Sequence, residues 1–241
     1  MKAGCFILVF IFIGVSCNRE QKENRFSIRC EFSNSRSEKI LLCEMGVKET
    51  IPLDSARIDN GKINLFHKIE QPGFYLLIFP SGKRLTLVMK KGEDLFITGD
   101  ITGPTSDFQL SGSPDSQLLQ TFFRATMKNK NRIDSIKKVL LMHEGCDDFL
   151  RFSMMADSLF SRISGDQRKL EKEFIDQHLV SLASLIVLNF AFGPKPVLTM
   201  EEDLPYYLKL TSLFSFYPKN KHVLFHLARV NLFLNHSKNA K

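Results

Sequence analysis

From Phe26 to about Ser113 apolar and polar residues alternate in short runs, and beyond Ser113 the apolar residues recur every three or four positions instead. A period of two predicts strands buried on one face, and a period near 3.6 predicts amphipathic helices. The strand runs are Phe26 to Phe32, Ile40 to Met45, Ile51 to Ile58, Lys62 to Ile69, Phe74 to Phe79, Arg84 to Met89, Asp94 to Thr98 and a last short one at Phe108 to Leu110. Turn residues stand where the runs stop. Asp59-Asn60-Gly61 is the strongest of these, because Asn and Gly tolerate positive φ and predict a tight hairpin; Pro80-Ser81-Gly82 and Lys90 to Glu93 are others.

The change of period is marked at Ser113-Pro114-Asp115, where a serine N-cap, a proline at the first helical position and an acid in the first turn predict a helix start. Leu118, Leu119, Phe122, Phe123 and Met127 follow at helical spacing, and further amphipathic runs carry Ile133, Ile136 and Leu140, then Phe149, Phe152, Leu159, Phe160 and Ile163. Leu182 to Phe192 is apolar on nearly every side and stops at Gly193-Pro194, which predicts the central, most buried helix. Thr199 to Glu202 has the spacing of a capping box, Pro205 permits a break or a new first turn, and a last helix presents Val223, Leu227, Val230 and Leu234 on one face. The expected fold class is α+β: an antiparallel β-sandwich or partly open β-barrel over residues 26–113, followed by an all-helical region over 114–241.

The first residues read differently. Lys2 precedes an unbroken apolar run, Phe6 to Ile13, and then Gly14-Val15-Ser16-Cys17. A basic start, a short apolar middle and small residues before a cut make residues 1–16 an expected signal peptide, since the apolar run is too short for a bilayer core of roughly 30 Å. Ser16 and Val15 before Cys17 resemble a bacterial lipobox, although position 14 is Gly where Leu is usual, so Cys17 is the expected lipidation site. The alternative is an ordinary leader with a chance cysteine; the polar switch at Asn18-Arg19-Glu20 favours lipidation. Residues 17–25 are then a lipidated cysteine and a polar tether. The expected location is the cell envelope, on an outer membrane, facing the periplasm or the cell surface.

Composition adds three constraints. An apolar fraction of 44% is enough for a real core. The formal charge of +7 falls to +6 once Lys2 leaves with the leader, and the lysines are scattered instead of forming one stripe, which argues against a nucleic-acid partner. Of five cysteines, Cys30, Cys43 and Cys146 remain in a mature chain within an oxidising compartment. If residues 26–32 and 40–45 formed a hairpin across Asn34 to Ser37, Cys30 and Cys43 would face each other and a cross-strand disulfide would fit; the other reading is two buried thiols on a core face.

Candidate chemistry is sparse. His222 and His226 are four apart on the last helix, a spacing that suits a shared metal, but no third ligand stands near and solvated histidines are expected. His143, Cys146, Asp147 and Asp148 cluster at a Gly-containing break where Asp147 serves a helix start more simply than a metal. Asp54 and Asp59 stand at a strand end and a turn, where Asp satisfies backbone donors. There is no nucleophile elbow, phosphate loop or His-Glu-x-x-His. No catalytic residue, metal or cofactor is expected.

The stretches Leu53 to Lys62, Pro72 to Leu76, Gly92 to Asp100 and Leu110 to Ser113, with Leu182 to Leu185 and Tyr217 to Lys219 further on, resemble the N-terminal region of thioredoxin-like bacterial lipoproteins of the TlpA/ResA type. That region is a β-rich domain of unknown function followed by helices. In those proteins a thioredoxin domain with Trp-Cys-x-x-Cys follows, whereas this sequence has no Trp and no CxxC, so the resemblance does not bring reductase activity with it. What it implies is a non-catalytic envelope protein that binds or scaffolds, through its membrane anchor, a protein or glycan partner. The alternative is an accessory to extracytoplasmic thiol-disulfide exchange working with a separate thioredoxin-like protein.

Overall fold

The computed structural model describes residues 24–193 and 196–239. The leader, Cys17 and most of the tether lie outside the described residues. Eight strands form two four-stranded sheets: β1 Arg25–Ser33, β2 Lys39–Met45, β3 Thr50–Arg57, β4 Lys62–Lys68, β5 Gly73–Ile78, β6 Arg84–Met89, β7 Asp94–Asp100 and β8 Gln109–Ser111. The first sheet runs in the order β4-β1-β7-β8 and the second β3-β2-β5-β6. They face each other as a sandwich with no closed barrel.

Between the sheets, Ile28, Leu65, Leu95 and Ile97 on one side meet Ile40, Leu42, Leu77 and Leu87 on the other. Phe32, Phe79 and Phe108 fill one end with tilted and edge-on ring pairs whose centroids are 5.3 to 5.6 Å apart. Fully burying such side chains contributes about 1.5–3 kcal/mol each.

Among the described residues six α-helices follow: α1 Pro114–Met142, α2 Phe149–Gln177, α3 Ala183–Leu188, α4 Met200–Lys209, α5 Leu213–Phe216 and α6 Lys221–Asn239. They cover the outer face of the second sheet, where Phe74 and Val88 join Leu119, Phe122, Leu182, Leu188, Tyr207 and Val223 in a second core. Strand β5 is therefore buried on both faces, which explains its uninterrupted apolar sequence Phe74 to Ile78. Ser113 sits at the N-cap of α1 with Pro114 inside the first turn, as expected. Its hydroxyl, however, lies 2.8 Å from Glu93 Oε2 and does not cap the helix. Ser116, one turn in, accepts the Val88 N–H and donates to the Val88 carbonyl, closing hydrogen-bonding positions that edge strand β6 would otherwise leave open.

Several expectations need correcting. The sandwich is not wholly antiparallel: β1 and β7 pair in parallel. Asn60 and Gly61 form the expected tight turn, with φ of +48° and +78°, but after the single Asp59–Lys62 bridge the two strands part into opposite sheets. Likewise β1 and β2 do not form a hairpin, because Asn34 to Glu38 crosses from one sheet to the other.

The Cys30–Cys43 pairing is thereby removed. Both are free and buried. Cys30 points into the sandwich core beside Ile28 and Phe32, while Cys43 stands opposite Leu76, on the other face of the second sheet from Leu42 and Leu77. Burial pushes both thiols above the ordinary cysteine range, Arg84 partly offsetting it at Cys43. The helix expected over Leu182 to Phe192 is also shorter, six residues, because the chain turns out of it at Asn189.

Two outcomes test this architecture. Maleimide should label exposed Cys146 in the folded chain and reach Cys30 and Cys43 only in denaturant; slow native labelling at all three would contradict their placement. Gly112 has φ +87°, and a Cβ there would lie 2.0 Å from the Asp94 carbonyl oxygen, whereas Gly82 shares the positive φ in open space. Gly112→Ala should lower stability by about 2 kcal/mol or more in urea titration, clearly beyond Gly82→Ala.

Candidate docking surface on the helical hairpin

Helices α1 and α2 each have 29 residues and pack antiparallel as a hairpin. At 1.5 Å per residue each is about 43 Å long, far more than the sheet they cover needs. The root of the hairpin is held on the sandwich. Asp115, in the first turn of α1, is buried, lies 3.0 Å from Lys90 Nζ after β6, and accepts a hydrogen bond from Ser181 before α3. Gln120 and Arg124 donate to the backbone carbonyls of Ser106 and Phe108, and Leu119 and Phe122 enter the second core.

Further out the hairpin carries a buried polar layer that no spacing or motif announces. Asn129 on α1 donates to Gln167 on α2, whose amide in turn donates to Glu171, and both Gln167 and Glu171 are fully buried. Burial raises the Glu171 carboxyl to about 8, with the nearby Asp203 carboxylate pushing the same way, so the group is largely protonated at neutral pH. Asp203 itself is buried and gripped by Arg168 and Lys172 at 2.8 Å. It also holds the start of α4, since its carboxylate accepts the Thr199 N–H at 3.1 Å. This is the role expected of Glu202, which instead pairs with Arg168. The backbone of Asp203 leaves helical geometry two residues before Pro205, so the expected break is present.

Beyond the Ile133 and Ile163 layer the hairpin has almost no interior. Between residues 134 and 162 the only buried residue is Ala156. Leu141, Leu150, Met142 and Met154 are 70%, 72%, 64% and 67% exposed, and Val139, Phe149, Met155, Leu159 and Phe160 are exposed too. Ile136, Val139, Leu140, Phe152, Met155 and Leu159 line a groove of about 230 Å³ between the two helices. A solvent-facing helix is normally polar on its outer side. The periodicity that predicted core-facing residues here was correct about the helices and wrong about their being covered.

The charges are segregated along the same arm. From Val139 to Leu150 the ionisable groups include Glu144, Asp147 and Asp148 and no Lys or Arg. Nearer the root, Lys128, Lys130, Lys137 and Lys138 are exposed on α1. The turn itself is built on Gly145, with φ +83°, and on the His143 ring packed over Phe152.

The other candidates have structural roles. His222 and His226, expected to be solvated, are half-buried and buried: each places Nε2 within 2.9 Å of a backbone carbonyl, Met45 and Tyr207 respectively. Burial holds both below the ordinary histidine range. Asp54 accepts from the next backbone N–H. Among the described residues no group of three His, Cys, Asp or Glu is placed to hold a metal, and no helix is long and apolar enough to cross a membrane.

Residues 26–119 match a family model described as a domain of unknown function, DUF4369. The match covers the whole sandwich and the first turn of α1, and stops short of the exposed arm. No curated protein and no solved structure matches the chain.

The buried carboxyl sets a pH test. Glu171 is raised from 4.5 in the unfolded chain to about 8, so the native state keeps its proton where the unfolded state has lost it. Its contribution to stability is intact below about pH 4.5 and declines as pH rises toward 8. Glu171→Gln should therefore stabilise the chain by a few kcal/mol at pH 8, change little at pH 4, and flatten the pH dependence of Tm.

Proposed function

We propose that this chain is a non-catalytic cell-envelope protein, acylated at Cys17, that holds a partner at the membrane through the distal half of its helical hairpin. The observation that carries the reading is the arm itself: 29 consecutive residues, 134–162, in which Ala156 alone is buried although apolar side chains line both helices. Short helices in water owe most of their stability to a packed face. Evolution rarely leaves so contiguous an apolar surface bare on a soluble domain. The sandwich acts as a rigid base that fixes where the arm points.

The anchoring half of the proposal rests on the Lys2, Phe6 to Ile13 and Gly14 to Cys17 arrangement. The resemblance of Leu53 to Lys62, Gly92 to Asp100 and the other stretches to the N-terminal region of thioredoxin-like lipoproteins supports the same envelope reading, and the match of residues 26–119 to a domain of unknown function is compatible with it. Each buried acyl CH₂ contributes about 0.8 kcal/mol, so an anchor of more than one chain is durable.

Metabolic labelling with a palmitate analogue should mark the wild-type chain and leave Cys17→Ala unmarked and released from the membrane fraction. Met155→Glu should stay acylated and membrane-bound while losing its partner in cells. An unlabelled wild type, or a Met155→Glu chain that retains every crosslink of the wild type, would reject the corresponding half.

A further inference from the structure

We propose that the partner of this arm is a second copy of the same chain, docked antiparallel so that two hairpins close into a four-helix bundle. The inference rests on the reading of the arm as a docking surface and names its occupant.

A two-helix layer with one open apolar face is half of a bundle, and the simplest complement to it is another layer of the same shape. A two-fold axis near Val139 and Met155 would bring the groove of one copy onto the groove of the other. Each apolar residue lining it would then meet an apolar residue of the other groove, α1 residues against α2 residues, and every such contact would occur twice, as an isologous interface requires.

Charge fixes the direction. Antiparallel docking lays the acidic turn of one copy, Glu144, Asp147 and Asp148, along the basic shaft of the other, Lys128, Lys130 and Lys137. Parallel docking would set acid against acid. Over residues 134–162 four cations stand against five acids, so the arms of a basic chain meet with nearly balanced charge. The same acidic turn argues against a lipid surface as the occupant. It is the leading end of the arm, and anionic headgroups repel it.

The experiment uses the full acylated chain in its native membrane. A photo-crosslinking phenylalanine analogue at Met155 should give an adduct of twice the mass of the mature acylated chain, with the bond mapping to α1 of the other copy. Reversing the turn (Glu144→Lys, Asp147→Lys, Asp148→Lys) should cut that adduct at least tenfold, as should reversing the shaft (Lys128→Glu, Lys130→Glu, Lys137→Glu). Combining both sets should restore it, a rescue that misfolding cannot produce. An adduct with a chain of different mass overturns the self-association and leaves the docking surface standing. An adduct with lipid alone, or none, overturns both. A doubled mass without charge rescue, or with turn joined to turn, overturns the antiparallel arrangement.

Discussion

Strands β5 and β6 of the second sheet are covered on both faces, and the rest of the molecule is organised by that constraint. Leu42, Leu77 and Leu87 point into the sandwich, while Phe74 and Val88 point out under the helices. A strand such as β5 that leaves water on both sides loses all solvent hydrogen bonding, so it must be flanked by full ladders, and β2 and β6 supply them. The helices are thus part of the fold of the sheet rather than a separate unit resting on it. Cutting the chain after Ser113 would strip Phe74 and Val88 of their cover.

The junction between the layers is mostly polar. Ser116 satisfies the edge of β6, Asp115 bridges Lys90 and Ser181, and Asn220 ties the start of α6 to the Pro72 carbonyl at 2.6 Å. Apolar packing supplies most of the stabilisation, but it is indifferent to small slides; directional contacts of this kind fix register. The same division recurs in the hairpin, where the Asn129–Gln167–Glu171 layer lies between the second core and the Ile133–Ile163 contact.

The strands were legible because alternation and turn chemistry are local. Their ends agree with the structure to within a residue or two, and the Asn60-Gly61 turn was identified from conformational preference alone. Partners were not legible. Alternation at Cys30 and Cys43 says which residues are buried but not in which sheet, and a five-residue connection serves a hairpin or a crossing equally well. Leu182 to Phe192 looked like a long buried helix because all but Ser184 and Asn189 are apolar; only tertiary packing decides how much of such a run stays helical. The arm was missed for a related reason: a 3.6-residue period reveals an apolar face and carries no information about what lies over it. Glu171 gave no signal, since a Glu amid charged residues on a helix reads as solvated.

Helix α1 begins at the edge of β6 and continues without a break to Met142. It therefore behaves as a lever whose short end is bolted to Val88 and whose long end projects well past the sandwich. Whatever acts near Gly145 reaches the sheet through that root, where Ser113, Ser116 and Asp115 are joined by the Gln120 and Arg124 hydrogen bonds and by Leu119 and Phe122 in the second core. A small change of angle at this root would therefore displace the turn at Gly145 by much more than it displaces Ser116.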